Sequence, residues 1–407
     1  MKYIDGGVTA PQGFKAASCA ANIKYENRDD MALIYSDTVC KAAGTFTRNV
    51  VKAAPVTWDQ TIVKNNIGVQ AIVVNSGIAN ACTGDDGIQM CIKTAMAASS
   101  ALHIPYEGVL VASTGVIGMP LPLDKIQAGI QTMVPILSYD NEAGTKAARA
   151  IMTTDTISKE ASVAFEIGGK EVIIGGMSKG SGMIHPNMCT MLSFVTTDAC
   201  ITKEMLDKAL HIVVEDTYNM ISVDGDTSTN DTCLLLANGT AGNDIIDSEG
   251  EDFDTFVEGL MEVNKTLAKM MAGDGEGATA LFEVKVAGAD SVANAKTLAK
   301  SVVTSSLTKA AIYGHDANWG RILCALGYAG VEFDPENVDL YFESKAGKIH
   351  IVHKGVSTGY SEEEATKILS EDAVTAICDM HMGEYNATAW GCDLTHEYVS
   401  INADYRS

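Results

Sequence analysis

Residues 179–192 read Lys-Gly-Ser-Gly-Met-Ile-His-Pro-Asn-Met-Cys-Thr-Met-Leu. A glycine-rich loop that carries Lys179, followed by a kinking proline, stands directly before Thr190 and an apolar run. A threonine in that position is either an ordinary β-branched strand residue or an internal nucleophile. The first interpretation predicts one polypeptide. The second predicts two, because attack on the carbonyl of residue 189 cuts the chain and leaves Thr190 as a new N-terminus.

The nucleophile interpretation needs no second catalytic side chain. A threonine hydroxyl can add to the preceding peptide carbonyl, and hydrolysis of the resulting ester leaves a free α-amine. That amine has a reference pKa of about 7.7–8.0, so a useful fraction of it is neutral at pH 7. It can then take the proton from the hydroxyl of its own residue, and nucleophile and base belong to one residue.

Composition and charge exclude several classes of partner. The chain has 407 residues and a net charge of −23. Its length predicts two or more lobes or one large α/β unit. The acidic balance argues against nucleic acid or anionic membranes as partners, because phosphate binding needs clustered Lys and Arg. The first residues lack an apolar signal region and no apolar run is long enough to cross a bilayer, so we expect a cytoplasmic protein.

The cysteines are scattered singly, without the CxxC or Cys/His spacing of a zinc site. This pattern in a long chain is typical of reduced, mostly buried thiols rather than of a disulfide framework. The ten are Cys19, Cys40, Cys82, Cys91, Cys189, Cys200, Cys233, Cys324, Cys378 and Cys392.

Short apolar runs alternate with helical stretches, which predicts a mixed α/β fold with helices layered over sheets. Strands are predicted at 69–75, 109–113, 162–167, 171–174, 191–197, 280–286, 338–342 and 349–352. Helices are predicted at 87–102, 203–215, 252–271 and 292–307. The glycines at 168 and 169 predict a hairpin, and the acidic segment 245–254 predicts a solvated loop that leads into a helix.

Two other patterns offer different chemistry. Gly176-Met177-Ser178-Lys179-Gly180 matches G-x-S-x-G, so a serine hydrolase that uses Ser178 is the alternative function. An elbow of that kind runs straight into a helix, whereas two glycines and a proline follow here, which disfavours a helix start. The loop 222–231 crowds Asp224, Asp226 and Asp231 with hydroxyls; its spacing does not fit an EF-hand, and a polar turn is favoured over a metal site.

The 179–192 stretch closely resembles the self-cleavage motif of the ornithine acetyltransferase family, the glutamate N-acetyltransferases of arginine biosynthesis. Further segments resemble family motifs in family order, so the resemblance is effectively full length. They are 6–14 (GGVTAPQGF), 113–118 (STGVIG), 152–156 (MTTDT), 273–279 (GDGEGAT), 318–321 (NWGR) and 402–407 (NADYRS). A non-catalytic amino-acid-binding protein on the same scaffold is a further alternative.

The resemblance implies that Thr190 is the nucleophile and Cys189-Thr190 the scissile bond. Cleavage would give an α chain of residues 1–189 and a β chain of residues 190–407. Thr114 and Gly115 would form the oxyanion hole. The family usually has Ala where this chain has Cys189, which is nearly as small, so we expect cleavage to survive. His185 stands where relatives often carry a small residue, and we interpret it as loop variation rather than as a general base.

By the same resemblance the substrate is bound by Thr153, Lys179, Thr190, Glu276, Asn402 and Ser407. Lys179 suits an amino-acid α-carboxylate, and Glu276 suits the δ-ammonium of ornithine. Spacing to Lys179 favours Thr153 over Thr154. Without the resemblance, Asn402 and Ser407 would belong to a frayed tail.

The implied reaction is ping-pong acetyl transfer from N2-acetyl-L-ornithine to L-glutamate through acetyl-Thr190. Acetyl-CoA is a second candidate donor, and no metal or bound cofactor is expected. The resemblance also implies an ornithine acetyltransferase / DmpA-like fold and an assembly of two α and two β chains.

Overall fold

The computed structural model of the protein describes residues 1–185 and 191–404. Its strands are β1 (Lys2–Tyr3), β2 (Phe14–Cys19), β3 (Met31–Phe46), β4 (Val69–Ile78), β5 (Val109–Val116), β6 (Lys159–Ile167), β7 (Lys170–Lys179), β8 (Leu192–Thr197), β9 (Ile221–Ser222), β10 (Thr232–Ala237), β11 (Leu281–Ala289), β12 (Asp339–Ser344), β13 (Gly347–His353), β14 (Val356–Ser357), β15 (Ala373–Asp379) and β16 (Tyr385–Cys392). Its α-helices are α1 (Ala54–Lys64), α2 (Gly84–Leu102), α3 (Leu123–Met133), α4 (Asn141–Ala150), α5 (Lys203–Asp216), α6 (Glu251–Gly273), α7 (Val292–Thr304), α8 (Ser306–Tyr313), α9 (Trp319–Gly327), α10 (Glu362–Leu369) and α11 (His396–Asp404).

The strands form two sheets. The first has the order β1-β6-β7-β8-β10-β3-β4-β5, with β2 beside β3, and the second has the order β14-β13-β12-β15-β11-β16-β9. In the first sheet β8 runs parallel to β10, and β4 runs parallel to β5. β7 and β8 are antiparallel, and their register places Lys179 opposite Leu192. This pairing places Lys179 and Leu192, which flank the segment 180–191, side by side at one end of the sheet.

Helix α6 lies between the two sheets, because it packs on β6 and β7 of the first sheet and on β11 and β16 of the second. Helix α5 packs against α6 and β3, while α4 packs on β2 and β3. Alternate residues of β10 therefore enter different cores: Leu235 joins the core that contains α5 and α6, whereas Leu234 and Leu236 join the core that contains Ala147 of α4. Both faces of this strand are covered, which confirms the predicted layered α/β class.

The predicted elements are found, with ends shifted by a few residues. One prediction is wrong: the helix expected over 292–307 ends at Thr304, and α8 begins at Ser306. Ser305 between them has an extended backbone, and its hydroxyl accepts a hydrogen bond from the Thr308 N–H as a helix N-cap. The cap starts a new helix where apolar spacing suggested continuation.

The nine cysteines of the described residues are all free thiols, and six of them are buried. This agrees with the prediction of reduced, mostly buried thiols; Cys189 lies outside the described residues. Within 1–185 and 191–404, no helix is long and apolar enough to cross a membrane.

Candidate active site

A cavity of about 140 Å³ opens beside the ends of β5 and β7 and the start of β8 in the first sheet, and we call it the Lys179 cavity. Residues from seven separate parts of the chain line it. They are Thr114, Gly115, Thr153, Thr154, Lys179, Gly180, Gly182, Met183, Ile184, Met191, Leu192, Ser228, Asn230, Asp231, Glu276 and Asn402. The fold therefore brings together residues that are far apart in the chain. Six of the lining residues were named from the sequence as site residues: Thr114, Gly115, Thr153, Lys179, Glu276 and Asn402.

Lys179 is the last residue of β7, and its side chain is only 10% exposed. Its ammonium donates hydrogen bonds to the hydroxyls of Thr153, at 2.8 Å, and Thr114, at 3.4 Å. The Asp155 carboxylate lies 3.9 Å away. Burial lowers the pKa of Lys179, and the negative charges of Asp155 and Glu276 oppose this shift. The buried amine is thus held among two hydroxyls and the Asp155 carboxylate at the wall of the cavity.

The contact of Lys179 distinguishes the two adjacent threonines. Both Thr153 and Thr154 line the cavity, but the hydroxyl that accepts from the lysine belongs to Thr153. Thr153 therefore lies beside Lys179, and its contact with the substrate stays a prediction. Its backbone N–H donates to Asp155 at 3.1 Å, which fixes the turn that follows α4.

Thr114 and Gly115 lie near the end of β5, beside Gly77 of β4. Gly115 has a φ of +129°, and a Cβ added there would lie 2.2 Å from the carbonyl carbon of Gly77. Only glycine fits this approach of two backbones. The need for glycine at this position is therefore structural. Thr114, the residue before it, lines the cavity.

A buried ion cluster that the sequence did not reveal lies behind the cavity. The ammonium of Lys159, which is fully buried, lies 2.8 Å from Asp155 and 2.6 Å from Asp274, and these carboxylates are 0% and 6% exposed. We call these three residues the Lys159 cluster. Burial raises the pKa of Asp155, but the charges of Lys179 and Lys159 and the Gly180 N–H outweigh it and lower that pKa to about 2. Asp155 therefore stays ionised.

The Lys159 cluster ties the glycine-rich loops of the site together. Asp155 accepts a hydrogen bond from the Gly180 N–H at 2.7 Å, and the Asp274 carbonyl accepts one from the Ser181 hydroxyl at 2.8 Å. The N–H of Glu276 in turn donates to the Ser181 carbonyl at 3.0 Å. Asp155 and Asp274 occur in the motifs quoted above, but Lys159 lies in none of them. Nothing in its local sequence shows that it is buried.

Glu276 and Asn402 face each other at another side of the cavity. The Asn402 amide donates to a Glu276 carboxylate oxygen at 2.7 Å, and Glu276 is 9% exposed. Gly277, with a φ of +71°, allows α11 to approach, because a Cβ there would lie 2.8 Å from the backbone N of Tyr398. Asn402 therefore lies on α11 and lines the cavity, rather than belonging to an irregular tail.

Three named residues, Thr190, Cys189 and Ser407, lie outside the described residues. The residues beside the first two are described: Met191 lines the cavity, and its carbonyl accepts a hydrogen bond from the Thr232 N–H at 2.8 Å. The strand that Thr190 was predicted to begin is therefore paired from Leu192 onward.

Ser178 is not a nucleophile elbow. It lies inside β7, paired with Lys159 of β6 and Ser193 of β8, and it is fully buried. Its hydroxyl has no hydrogen-bond partner within the described part of the chain, whereas an elbow serine is exposed at a strand-to-helix turn. The strand continues through the motif because pairing with β6 extends to Ser178 and pairing with β8 extends to Lys179, and the serine hydrolase alternative is wrong.

The polar loop 222–231 is a turn, as favoured. Asp224 accepts hydrogen bonds from the backbone N–H groups of Met183, Ile184 and Asp226. His185 lies beside it without lining the Lys179 cavity, and its Nδ1 is 3.1 Å from the Ser222 hydroxyl. Burial lowers the pKa of His185 to about 4, helped by the charge of Lys300, so the imidazole is neutral at pH 7.

Comparison with known proteins gives one consistent family. A family model described as the ArgJ family matches residues 15–407. The arginine biosynthesis bifunctional protein ArgJ 1 of Clostridium acetobutylicum is 54% identical over 394 residues, which cover 97% of this chain and 96% of that protein. The ArgJ protein of Caldanaerobacter subterraneus is 49% identical over the full length of both chains. The crystal structure of ArgJ from Bacillus halodurans matches with a TM-score of 0.50 and 46% identity, over 52% of this chain and 97% of that chain.

Proposed function

The chain belongs to the ArgJ family, and we propose on this basis that it transfers the acetyl group of N2-acetyl-L-ornithine to L-glutamate. The products are L-ornithine and N-acetyl-L-glutamate, intermediates of arginine biosynthesis. One observation carries the proposal: Lys179, Thr114, Glu276 and Asn402 converge on a single cavity beside the predicted cut. The same convergence separates this function from hydrolysis by the buried Ser178.

The proposed nucleophile is Thr190, released by autoproteolysis of the Cys189–Thr190 bond. The cavity supports this, because residues on both sides of the bond, Gly180 and Met191, line it. Cleavage would give chains of residues 1–189 and 190–407. The Bacillus halodurans chain seen in the crystal corresponds to 52% of this chain, a length close to that of the second product.

In the first half-reaction, the neutral α-amine of Thr190 takes the proton from its own hydroxyl, whose oxygen attacks the acetyl carbonyl carbon. Thr114 and Gly115 are the proposed oxyanion donors, and loss of one such donor typically costs about 10²–10³ in rate. The tetrahedral species then expels the α-amine of ornithine, which leaves with the proton held by the Thr190 ammonium. Acetyl-Thr190, an ester, remains.

In the second half-reaction, the α-amine of glutamate attacks the ester carbonyl. The bond to the Thr190 oxygen breaks, and that oxygen regains the proton lost by the attacking amine. Acetyl-CoA, as an alternative donor, would acylate the same oxygen and release its thiol. None of these steps requires a metal or a bound cofactor.

The charges of the cavity fit an amino acid with a cationic side chain. Lys179 is the proposed partner of the α-carboxylate, with Thr153 beside it, and Glu276 is the proposed partner of the δ-ammonium. Asn402 orients the Glu276 carboxylate through the 2.7 Å hydrogen bond, and Ser407 is proposed to complete the pocket. An assembly of two α and two β chains in the cytoplasm is part of the proposal.

A denaturing gel, N-terminal sequencing and steady-state kinetics test the function. We expect two bands, the larger starting at Thr190, and parallel double-reciprocal lines for the two substrates. Thr190→Ala should give one uncut, inactive chain, whereas the control Ser178→Ala should still be cut. Intersecting lines without a trapped acetyl-enzyme, or activity in Thr190→Ala, would refute the mechanism.

A further inference from the structure

Three of the eight histidines of the chain gather around one aspartate at the edge of the second sheet. Asp339 begins β12, His350 and His353 lie on β13, and His381 follows β15. One donor atom each of Asp339, His350 and His353 lies within 4.8 Å of the others, and His381 Nε2 lies 3.2 Å from an Asp339 oxygen. We propose that these four residues bind a divalent transition-metal ion, with Zn²⁺ as the best match.

A β-bulge creates the cluster. In a regular strand, residues three apart point to opposite faces, so His350 and His353 would be separated by the sheet. The pairing of β12 with β13 is irregular: Leu340 pairs with Val352, but the next residue, Tyr341, pairs with His350. The extra residue in β13 returns His353 to the face of His350. Bulges commonly re-aim a side chain toward a functional site.

The hydrogen bonds within the cluster leave one nitrogen atom available to bind a metal ion. Asp339, whose side chain is 9% exposed, receives the Lys354 N–H at 2.7 Å and lies 3.1 Å from His353 Nδ1. His350 Nε2 is buried and has no hydrogen-bond partner within the described residues. Buried polar atoms are rarely left in this state. An imidazole nitrogen that keeps its lone pair is a metal ligand of the ordinary kind.

The donor set and its spacing suit Zn²⁺. Imidazole nitrogens and a carboxylate are common zinc ligands, and bonds of about 2.0–2.2 Å place neighbouring ligand atoms roughly 3.4 Å apart. His353 Nδ1 lies 3.1 Å from Asp339 Oδ1 and His381 Nε2 lies 3.2 Å from Asp339 Oδ2, so each imidazole is already about this far from one carboxylate oxygen. His353 and His381 are 59% and 40% exposed, so an ion can enter and these rings can turn toward it.

Bound metal would join β12, β13 and the segment after β15 at one edge of the sheet. None of the four residues lines the Lys179 cavity, so the ion would stabilise this edge rather than take part in acetyl transfer. The site therefore does not depend on the function proposed above.

Metal titration of the full chain tests the site. After dialysis against a chelator, Co²⁺ should bind at one equivalent with the visible absorption of a tetrahedral complex, and Zn²⁺ should displace it. His350→Ala and Asp339→Asn should each weaken binding at least about tenfold, since even residues behind the ligands contribute 10–100-fold. His381→Asn should also weaken Co²⁺ binding. Asparagine is chosen because it tolerates the positive φ of 50° at this position.

The matched control is His211→Ala, which removes an exposed histidine of α5 and should leave Co²⁺ affinity unchanged. Acetyl transfer and circular dichroism verify that each variant is folded. Binding at the wild-type level in His350→Ala and Asp339→Asn, equal loss in the control, or the absence of a one-equivalent site would overturn the proposal.

Discussion

Replacing Lys159 by methionine tests whether the Lys159 cluster holds the active site together. Methionine keeps most of the length and removes the charge, so Asp155 and Asp274 become carboxylates without their shared cation. Removing one partner of a buried ion pair typically costs about 3–5 kcal/mol, because the remaining charge is left uncompensated. Both ion pairs are shorter than 3 Å and both carboxylates are nearly inaccessible to solvent. We therefore expect the free energy of unfolding to fall by an amount in that range.

The loss should be partly reversible by removing a carboxylate. In Lys159→Met/Asp274→Asn, one of the two uncompensated charges is gone, while Asp155 still has the Gly180 N–H and the Lys179 ammonium. The double variant should therefore be more stable than Lys159→Met alone. A double-mutant cycle between positions 159 and 274 should show a coupling of about 0.5–3 kcal/mol.

The assay is urea unfolding, followed by circular dichroism in the Thr190→Ala background, where we expect a single uncut chain. The matched control is Lys208→Met, whose partner Glu249 is 66% exposed and whose loss should cost about 0–1 kcal/mol. In the active background, kcat/KM of Lys159→Met should fall more than the folded fraction does, because Gly180 and Lys179 lose their support. A Lys159→Met variant as stable as the control would refute the structural role of the cluster.

Three further predictions concern individual side chains. Asn402→Ala should raise KM for acetylornithine about tenfold, because a hydrogen bond to a charged group is worth about 1.5–3 kcal/mol; Ser400→Ala on the same helix is the control, and equal effects would remove Asn402 from the site. Since burial lowers the pKa of His185 to about 4 and the unfolded value is about 6.5, the unfolded chain binds more protons between these values and stability should rise with pH across that window. The urea unfolding midpoints at about pH 5 and about pH 7 should therefore differ less in His185→Gln than in the wild type. An equal difference in both proteins would contradict the lowered pKa of His185. Deleting Ser407 should raise KM while leaving the thermal midpoint unchanged; unaltered kinetics would exclude Ser407 from the substrate pocket.

Much of the site could be predicted from short motifs. Thr114, Lys179, Glu276 and Asn402 were each named because their motifs resemble those of one family, and the structure brings all four to one cavity. The motifs are short and continuous in the chain, so the resemblance is visible in the sequence itself. The sequence did not predict the buried ion pairs of the Lys159 cluster. Lys159 and Asp274 are 115 residues apart, and their contact depends on the packing of separate elements.

Ser178 shows the limit of a motif match, because the glycines and proline that follow it disfavoured an elbow but did not reveal its burial. Its motif is a correct match to a nucleophile elbow, but a motif does not state whether the strand before it ends or continues. Pairing with β6 and β8 carries the strand through Ser178 and buries the hydroxyl. Sheet register is a long-range property, and here it decides that the residue has no access to substrate.

The sequence by itself determined part of the helices and strands, because apolar spacing is local, and it determined the expected chemistry through motifs that resemble those of one family. Apolar periodicity predicted eight of the sixteen strands and four of the eleven helices that the described residues form. The stretch 179–192 predicted the cut and its nucleophile through its resemblance to a family motif. Only the tertiary structure decided which residues meet. The burial of Lys159, the hydrogen bond between Lys179 and Thr153 and the shared face of His350 and His353 depend on registers and packing between separate segments. Those contacts form when folding excludes water from between the packed elements. The residues next to each side chain in the sequence do not show which distant residue it will contact.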